Sequence, residues 1–302
     1  MKAFIFTGQG NEYPSMAKEL YENSSYAKEF IDNLNIDFDY KKIFVEESDL
    51  IHDTRYSQIG NFVISIILAK ILTDRGVKAD AAAGLSLGEY TALCYAKAFN
   101  NQCAIDILKY RSNIMYEALN KKDTGMYAIM FLDANKIEEI VKRFNNVWIA
   151  NYNSPVQTVI AGDNKELDEC ANICLENGAK KIVKLDVIGA FHTKLLKSAS
   201  NKLKKELDKY EFSNTEIPIY YNYTGNKSDE DIKNLLVNQL YNPVKFEKSI
   251  LNMINDGIDN FYVIGVGKSI DNFIRSIAIN NKSKINIFHI EKIQDIEDLN
   301  NE

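Results

Sequence analysis

Cysteine is scarce in this chain and histidine scarcer. The 4 cysteines are Cys94, Cys103, Cys170 and Cys174, and only Cys170 and Cys174 share a helical i,i+4 spacing. No histidine accompanies them at ligand spacing, so reduced structural thiols are expected rather than a disulfide framework or a metal site. With only 4 prolines and 14 glycines there is no low-complexity linker, and no segment repeats at a fixed spacing. Long hydrophobic runs are also missing. The longest, Phe62 to Ala69, is interrupted by Ser65 and is far too short to cross a bilayer. The opening MKAFIFTGQG has neither a signal-peptide core nor a small-residue cleavage site, so a cytoplasmic protein without a membrane partner is expected. A net charge of -6 argues against nucleic acid as a partner. Lysine-rich pieces such as NKLKKELDKY alternate with acids and read as solvated helix faces.

What is present is an ordinary globular composition, over a length that suits one large domain or a domain with an insert. KAFIF (Lys2 to Phe6) reads as a buried strand entering a turn at TGQG. Helices are expected over Tyr13 to Tyr21, about Tyr26 to Leu34, Gln58 to Arg75, from about Leu87, and from about Cys103 to Leu119. Ala79 to Ala83 leads into a turn at Gly84. This alternation is the signature of an α/β fold with a parallel sheet. The middle differs. MYAIMFL, NKIEEIVKRF, VWIAN, QTVIAG, NKELDECANICLENG and KKIVKLD read as βαββαβ, with Gly178 as a helix C-cap. That order is ferredoxin-like, which makes residues 123–189 a small inserted subdomain and 1–122 with 190–302 the large one. FYVIG and INIFHI are the last strands expected.

GLSLG (Gly84 to Gly88) sits where an apolar run gives way to a helical pattern. G-x-S-x-G in that context is a nucleophile-elbow signature, and in isolation also the pattern of a plain helix-entry loop. In an elbow, side chains two residues either side of the serine would collide with strand and helix, which glycine avoids. Ser86 would then stand beside a helix N-terminus, with the free N–H of Leu87 available to a developing oxyanion. A serine nucleophile needs a base. His52 lies in a polar loop and reads as solvated, while His289 alternates within an apolar strand and reads as a packed core residue. His192, in VIGAFHTKLL between a strand-like segment and a helix, has the best context for a base. Arg111 is a second anomaly, because helical spacing puts it on the apolar stripe of Ala104, Ile107, Leu108, Met115 and Ala118. A guanidinium there must pair with an internal acid, snorkel to water, or clamp a substrate carboxylate.

FTGQG, GLSLGEYTAL, YRSNIM, NYNSPVQTVIAG, GAFHTKLL and NQLYNPVKFEKSI occur in this order between about residue 4 and about residue 270. Together they resemble the malonyl-CoA:acyl carrier protein transacylase family, the acyltransferases of bacterial fatty-acid synthesis and of polyketide synthases. The resemblance implies an α/β-hydrolase-like large subdomain with a ferredoxin-like small one. It implies Ser86 as acyl-accepting nucleophile, His192 as base, and a carbonyl at Gln239 that orients the histidine. It further implies backbone N–H groups of Gln9 and Leu87 as oxyanion hole, Arg111 as carboxylate clamp, Gln58 as a pocket residue, and Phe191 as the mark of malonyl over methylmalonyl selection. The expected reaction is ping-pong transfer from malonyl-CoA to the phosphopantetheine thiol of an acyl carrier protein, with no metal or other cofactor, by a protein expected to be a monomer.

Three positions depart from the family pattern: Leu85 where histidine is usual, Ser112 where glycine follows the arginine, and Asn11-Glu12 after GQG. Leu85 removes a polar group from the pocket rim, which bears on acyl selectivity. A polyketide acyltransferase carries the same motifs. A thioester hydrolase for uncharged acyl groups gains nothing from Arg111, and a non-catalytic binding module has no need to retain the whole set. Lys180, Lys181, Lys184, Lys194 and Lys197 lie near His192 in sequence and form a candidate patch for an acidic carrier.

Overall fold

KAFIF forms β1 (Lys2–Phe6), and its side chains divide between two faces as strand geometry requires. Phe4 and Phe6 enter one core, Ala3 and Ile5 another. The computed structural model describes residues 1–299. After β1 the chain turns at Ser15, whose φ is 62°, before α1 (Lys18–Asn23) begins. The helix expected from Tyr13 thus starts five residues late, because Pro14 disfavours helical backbone at the residue before it. α2 (Ser25–Asp32) and α3 (Thr54–Asp74) follow. By length and composition α3 can cross a membrane, yet it is mostly buried inside the protein, as an all-round apolar core helix should be. β2 (Ala81–Gly84) passes through Ser86 into α4 (Leu87–Tyr95), and α5 (Asn101–Leu119) packs back on α3.

The inserted unit comprises β3 (Thr124–Met130), α6 (Ala134–Val141), β4 (Val147–Ser154), β5 (Gln157–Asp163), α7 (Asn164–Glu176) and β6 (Lys181–Lys184). Its sheet has the order β4-β5-β3-β6 with every neighbouring pair antiparallel, the ferredoxin-like arrangement. On one face Ile129 and Ile160 pack against Ile137 of α6 and Leu167 of α7, together with the free α7 thiols Cys170 and Cys174. The opposite face, with Met126, Ala128 and Val159, joins the main core and walls the cleft between the two sheets.

The chain then completes the large unit with α8 (Lys197–Leu207), β7 (Ile219–Tyr220), α9 (Ile232–Tyr241), α10 (Phe246–Asn255), β8 (Asn260–Ile264), α11 (Ser269–Asn280), β9 (Asn286–Ile290) and α12 (Ile293–Asp298). The sheet order is β7-β2-β1-β8-β9, parallel throughout. The chain winds one way from β1 through β2 to β7 and the other way through β8 to β9. The carboxyl ends of β1, β2 and β8 therefore meet where such sheets bind ligands.

His289 on β9 is only half-buried and is not the packed core residue expected. Its Nδ1 lies 3.0 Å from Asp271 Oδ2 and its Nε2 3.0 Å from Glu291 Oε2. Burial opposes its charge, but the two carboxylates outweigh burial and push its pKa up to about 9. The carboxylates come from α11 and from just past β9, so the pairing is invisible in the strand's own pattern. His52 is exposed, as its polar surroundings imply.

The glycines of the elbow are required by close approach. A Cβ on Gly84 would lie 2.0 Å from the carbonyl carbon of Gly88, and one on Gly88 would lie 2.3 Å from the Phe6 carbonyl oxygen. Gly88→Ala is expected to destabilise the protein by at least about 1–3 kcal/mol, the scale for an overpacked core. Urea unfolding measures it, and an unchanged midpoint would show that α4 can retreat from β1 freely.

Candidate active site

Ser86 has φ 55° and ψ -104°, outside the regions open to L-residues at low cost. Three bonds hold it there. Its N–H donates to Asn222 Oδ1 at 2.7 Å, and Asn222 Nδ2 donates in turn to the Gly84 carbonyl at 2.6 Å. Its carbonyl accepts from Gln239 Nε2 at 2.8 Å. The elbow is thus clamped by two buried side-chain amides, one from the loop after β7 and one from α9.

His192, also at positive φ (56°), is buried behind Ser86. Its Nδ1 lies 2.9 Å from the backbone carbonyl of Gln239, and its Nε2 lies 2.9 Å from Ser86 Oγ. A carbonyl can only accept, so Nδ1 carries the proton and Nε2 offers its lone pair to the serine hydroxyl. Of the carbonyls that sequence left possible at Gln239, it is the backbone one that orients the ring. Burial, then the Arg111 cation, pull the imidazole pKa down to about 4 against the opposing Gln239 bond. At neutral pH the ring is therefore a neutral base already aimed at Oγ.

Arg111, 1% exposed, meets no carboxylate at ion-pair distance among the described residues. Its Nη1 donates to Gln58 Oε1 at 2.6 Å, and its Nη2 to Ser86 Oγ at 2.9 Å and Gln239 Oε1 at 3.3 Å. Its Nε is buried without a hydrogen-bond partner among the described residues, and its guanidinium carbon lies 5.2 Å from the centre of the Tyr90 ring. The internal-acid alternative is thus removed. Glu89 is the acid felt from nearby, but burial pushes its pKa up to about 8, so it is largely uncharged at neutral pH. Arg111 remains an un-neutralised buried cation beside the Ser86 hydroxyl.

A cavity of about 490 Å³ brings Ser86, His192 and Arg111 together with Gln58, Phe191 and Leu85. Gln9 and Leu87 line the same space, and neither backbone N–H donates to a protein acceptor among the described residues. The Gln9 side chain is tethered by the Thr54 hydroxyl at 2.9 Å, which fixes the loop after β1. Leu87 is the first residue of α4, so its N–H points outward from a helix N-terminus. Leu85 turns its side chain into the second core and presents apolar surface to the cavity rim. Gln239 is not in the cavity wall. It stands behind Ser86 and His192 and touches both. Among the described residues no cluster of three histidine, cysteine or acidic side chains could hold a metal ion.

Sequence reading passed over Asn222 and Glu89. Each left a trace: Glu89 is an acid within the apolar opening of α4, and Asn222 interrupts the apolar run IYYNY. Their connection, a bond from the Asn222 N–H to Glu89 Oε2, exists only in the folded chain.

Residues 3–266 match the family model described as "Acyl transferase domain". The chain is 34% identical over 284 residues to the malonyl CoA-acyl carrier protein transacylase of Bacillus subtilis, covering 91% of this chain and 90% of that protein. It superposes with TM-score 0.92 and 31% identity on the malonyl CoA-acyl carrier protein transacylase of Clostridium perfringens, covering 99% and 96% of the two chains. It also resembles, with TM-score 0.93 and 26% identity over 100% and 99% of the chains, a malonyl-transacylase solved in complex with its type II PKS acyl-carrier protein. On motif, fold and extent alike, the chain belongs to the malonyl-CoA:acyl carrier protein transacylase family of acyl transferases.

Proposed function

We propose that the protein transfers a malonyl group from malonyl-CoA to the phosphopantetheine thiol of an acyl carrier protein, through a malonyl ester on Ser86. The observation that carries this reading is Arg111, a buried cation whose hydrogen-bond partners are all neutral and whose Nη2 lies 2.9 Å from Ser86 Oγ. A carboxylate on the acyl group supplies the missing counter-charge. His192 takes the hydroxyl proton as Oγ attacks the thioester carbon. The N–H groups of Gln9 and Leu87 receive the oxyanion. CoA departs as its thiol with the proton from His192, and the carrier thiol then attacks the serine ester by the reverse sequence. The steps call for no metal or other cofactor.

Fatty-acid and polyketide carriers present the same thiol, so one chemistry serves either assembly line. Hydrolysis of uncharged thioesters is disfavoured, since such an acyl group leaves Arg111 unpaired. Phe191, in the cavity wall beside His192, favours malonyl over the bulkier methylmalonyl group. For the carrier surface we favour Lys194, in the short turn before α8, and Lys197, the first residue of α8. Lys197 Nζ sits 3.8 Å over the Tyr241 ring, which braces it without neutralising its charge.

Mass spectrometry after mixing with malonyl-, methylmalonyl- and acetyl-CoA in competition is expected to trap malonate on Ser86, and a protein left unmodified would remove the covalent mechanism. Arg111→Ala is expected to lose malonyl transfer by roughly two to four orders of magnitude, the scale of a broken buried charge pair, while acetyl transfer survives or rises. Malonyl transfer unaffected by that change would eliminate the clamp.

The pH dependence follows from His192. The base must be neutral, and its free-enzyme pKa of about 4 lies below the ordinary histidine value. The value of kcat/KM for malonyl-CoA should therefore hold down to about pH 5 and fall only below it. Bound malonate offsets Arg111, so the acid limb of kcat should lie at higher pH than that of kcat/KM. A kcat/KM limb at or above 6.5 would contradict a buried neutral base. Charge reversal at Lys194 and Lys197 should raise KM for carrier protein and leave KM for malonyl-CoA unchanged; equal changes in both would count against the patch.

A further inference from the structure

Asn222 is fully buried, and every polar group it owns is engaged. Its side chain bridges the elbow, accepting from Ser86 N–H at 2.7 Å and donating to Gly84 C=O at 2.6 Å. Its N–H is taken by Glu89 Oε2, one turn into α4, and its carbonyl accepts from Lys245 N–H at 2.8 Å. One residue from outside the elbow thus joins the strand end, the nucleophile's backbone and the following helix. Ser86 needs such a brace. Its φ and ψ are unfavourable, and its N–H has no other acceptor among the described residues. Neither Asn222 nor Glu89 lines the cavity, so they have no contact to offer a substrate.

We propose that Asn222, itself held by Glu89, is a positioning residue that keeps Ser86 in its reactive backbone conformation, with Oγ between His192 and Arg111. The inference rests on the reading of Ser86 as the nucleophile. Bridging demands an acceptor toward Ser86 N–H and a donor toward Gly84 C=O at once. An amide supplies both at any pH. A carboxyl group supplies both only while protonated, because the ionised form turns a second acceptor against the Gly84 carbonyl. From Glu89 only an acceptor is required, which glutamine also supplies.

The test is the rate at which Ser86 is modified by a fluorophosphonate, a serine-directed probe without a carboxylate, alongside the rate of malonyl-enzyme formation. For Asn222→Asp we expect both rates to fall by about ten- to a hundredfold at pH 8, the scale of a displaced reacting group. Divided by the native rate at each pH, they should recover by several-fold as pH falls toward 5.5. KM for malonyl-CoA should stay near native, since Asn222 does not touch Arg111. Glu89→Leu should slow both reactions, and Glu89→Gln should restore most of that loss. A rate ratio that does not change with pH, or native-like labelling of Asn222→Asp at pH 8, would overturn the proposal. If that variant does not fold, native-rate labelling of Glu89→Leu would overturn it instead. Failure of the native protein to label at Ser86 would sink the nucleophile reading, and this one with it.

Discussion

The approach of α4 to the carbonyl ends of the central strands is the constraint on which the rest depends. Gly88 passes so close to Phe6, and Gly84 so close to Gly88, that neither has room for a Cβ. The chain must reverse between them within three residues, and Ser86 takes the resulting positive φ. Strain of this kind persists only when neighbours over-determine it. Two buried amides do so here, Asn222 from one side and Gln239 from the other. The same reversal leaves Leu87 N–H at the cavity without a protein acceptor among the described residues.

Electrostatics completes what the sterics begin. His192, Arg111, Glu89 and Tyr90 lie buried around or behind the serine. Burial drives Glu89 up to about 8, Tyr90 up to about 12 and His192 down to about 4, each toward its neutral form. Arg111 cannot follow, since a guanidinium does not deprotonate in a protein. The cavity therefore carries one net positive charge at its floor and a neutral base beside it. That combination suits an anionic acyl group and a hydroxyl nucleophile. Gln239 links the two halves of the arrangement. Its backbone orients His192, its amide oxygen meets Arg111, and its amide nitrogen holds the Ser86 carbonyl.

Much of this was readable in the chain because it is encoded locally. Period-two and period-3.6 patterns depend on neighbours a few residues apart, so KAFIF, the βαββαβ order and the long helices could be placed. GLSLG was legible because its sterics lie within five residues. Arg111 stood out because a cation fell on an apolar stripe, although its partners could not be named. The start of α1 was misplaced because the turn at Ser15, after Pro14, overrides an otherwise helical pattern. His289 was misjudged because alternation gives the face a residue occupies and not the chemistry of what packs on that face.

The sequence by itself determined the elements, the elbow and the chemical types needed for acyl transfer, since each rests on residue identity or short-range sterics. Tertiary structure alone decided which groups meet. Ser86 and His192 are 106 positions apart, Ser86 and Asn222 136, and His192 and the Gln239 carbonyl 47. No periodicity reports on contacts at such separations. They arise because the parallel sheet winds outward from β1 in both directions and gathers its loops at one edge. There a backbone carbonyl, anonymous in any sequence, becomes the group that sets the tautomer of the histidine.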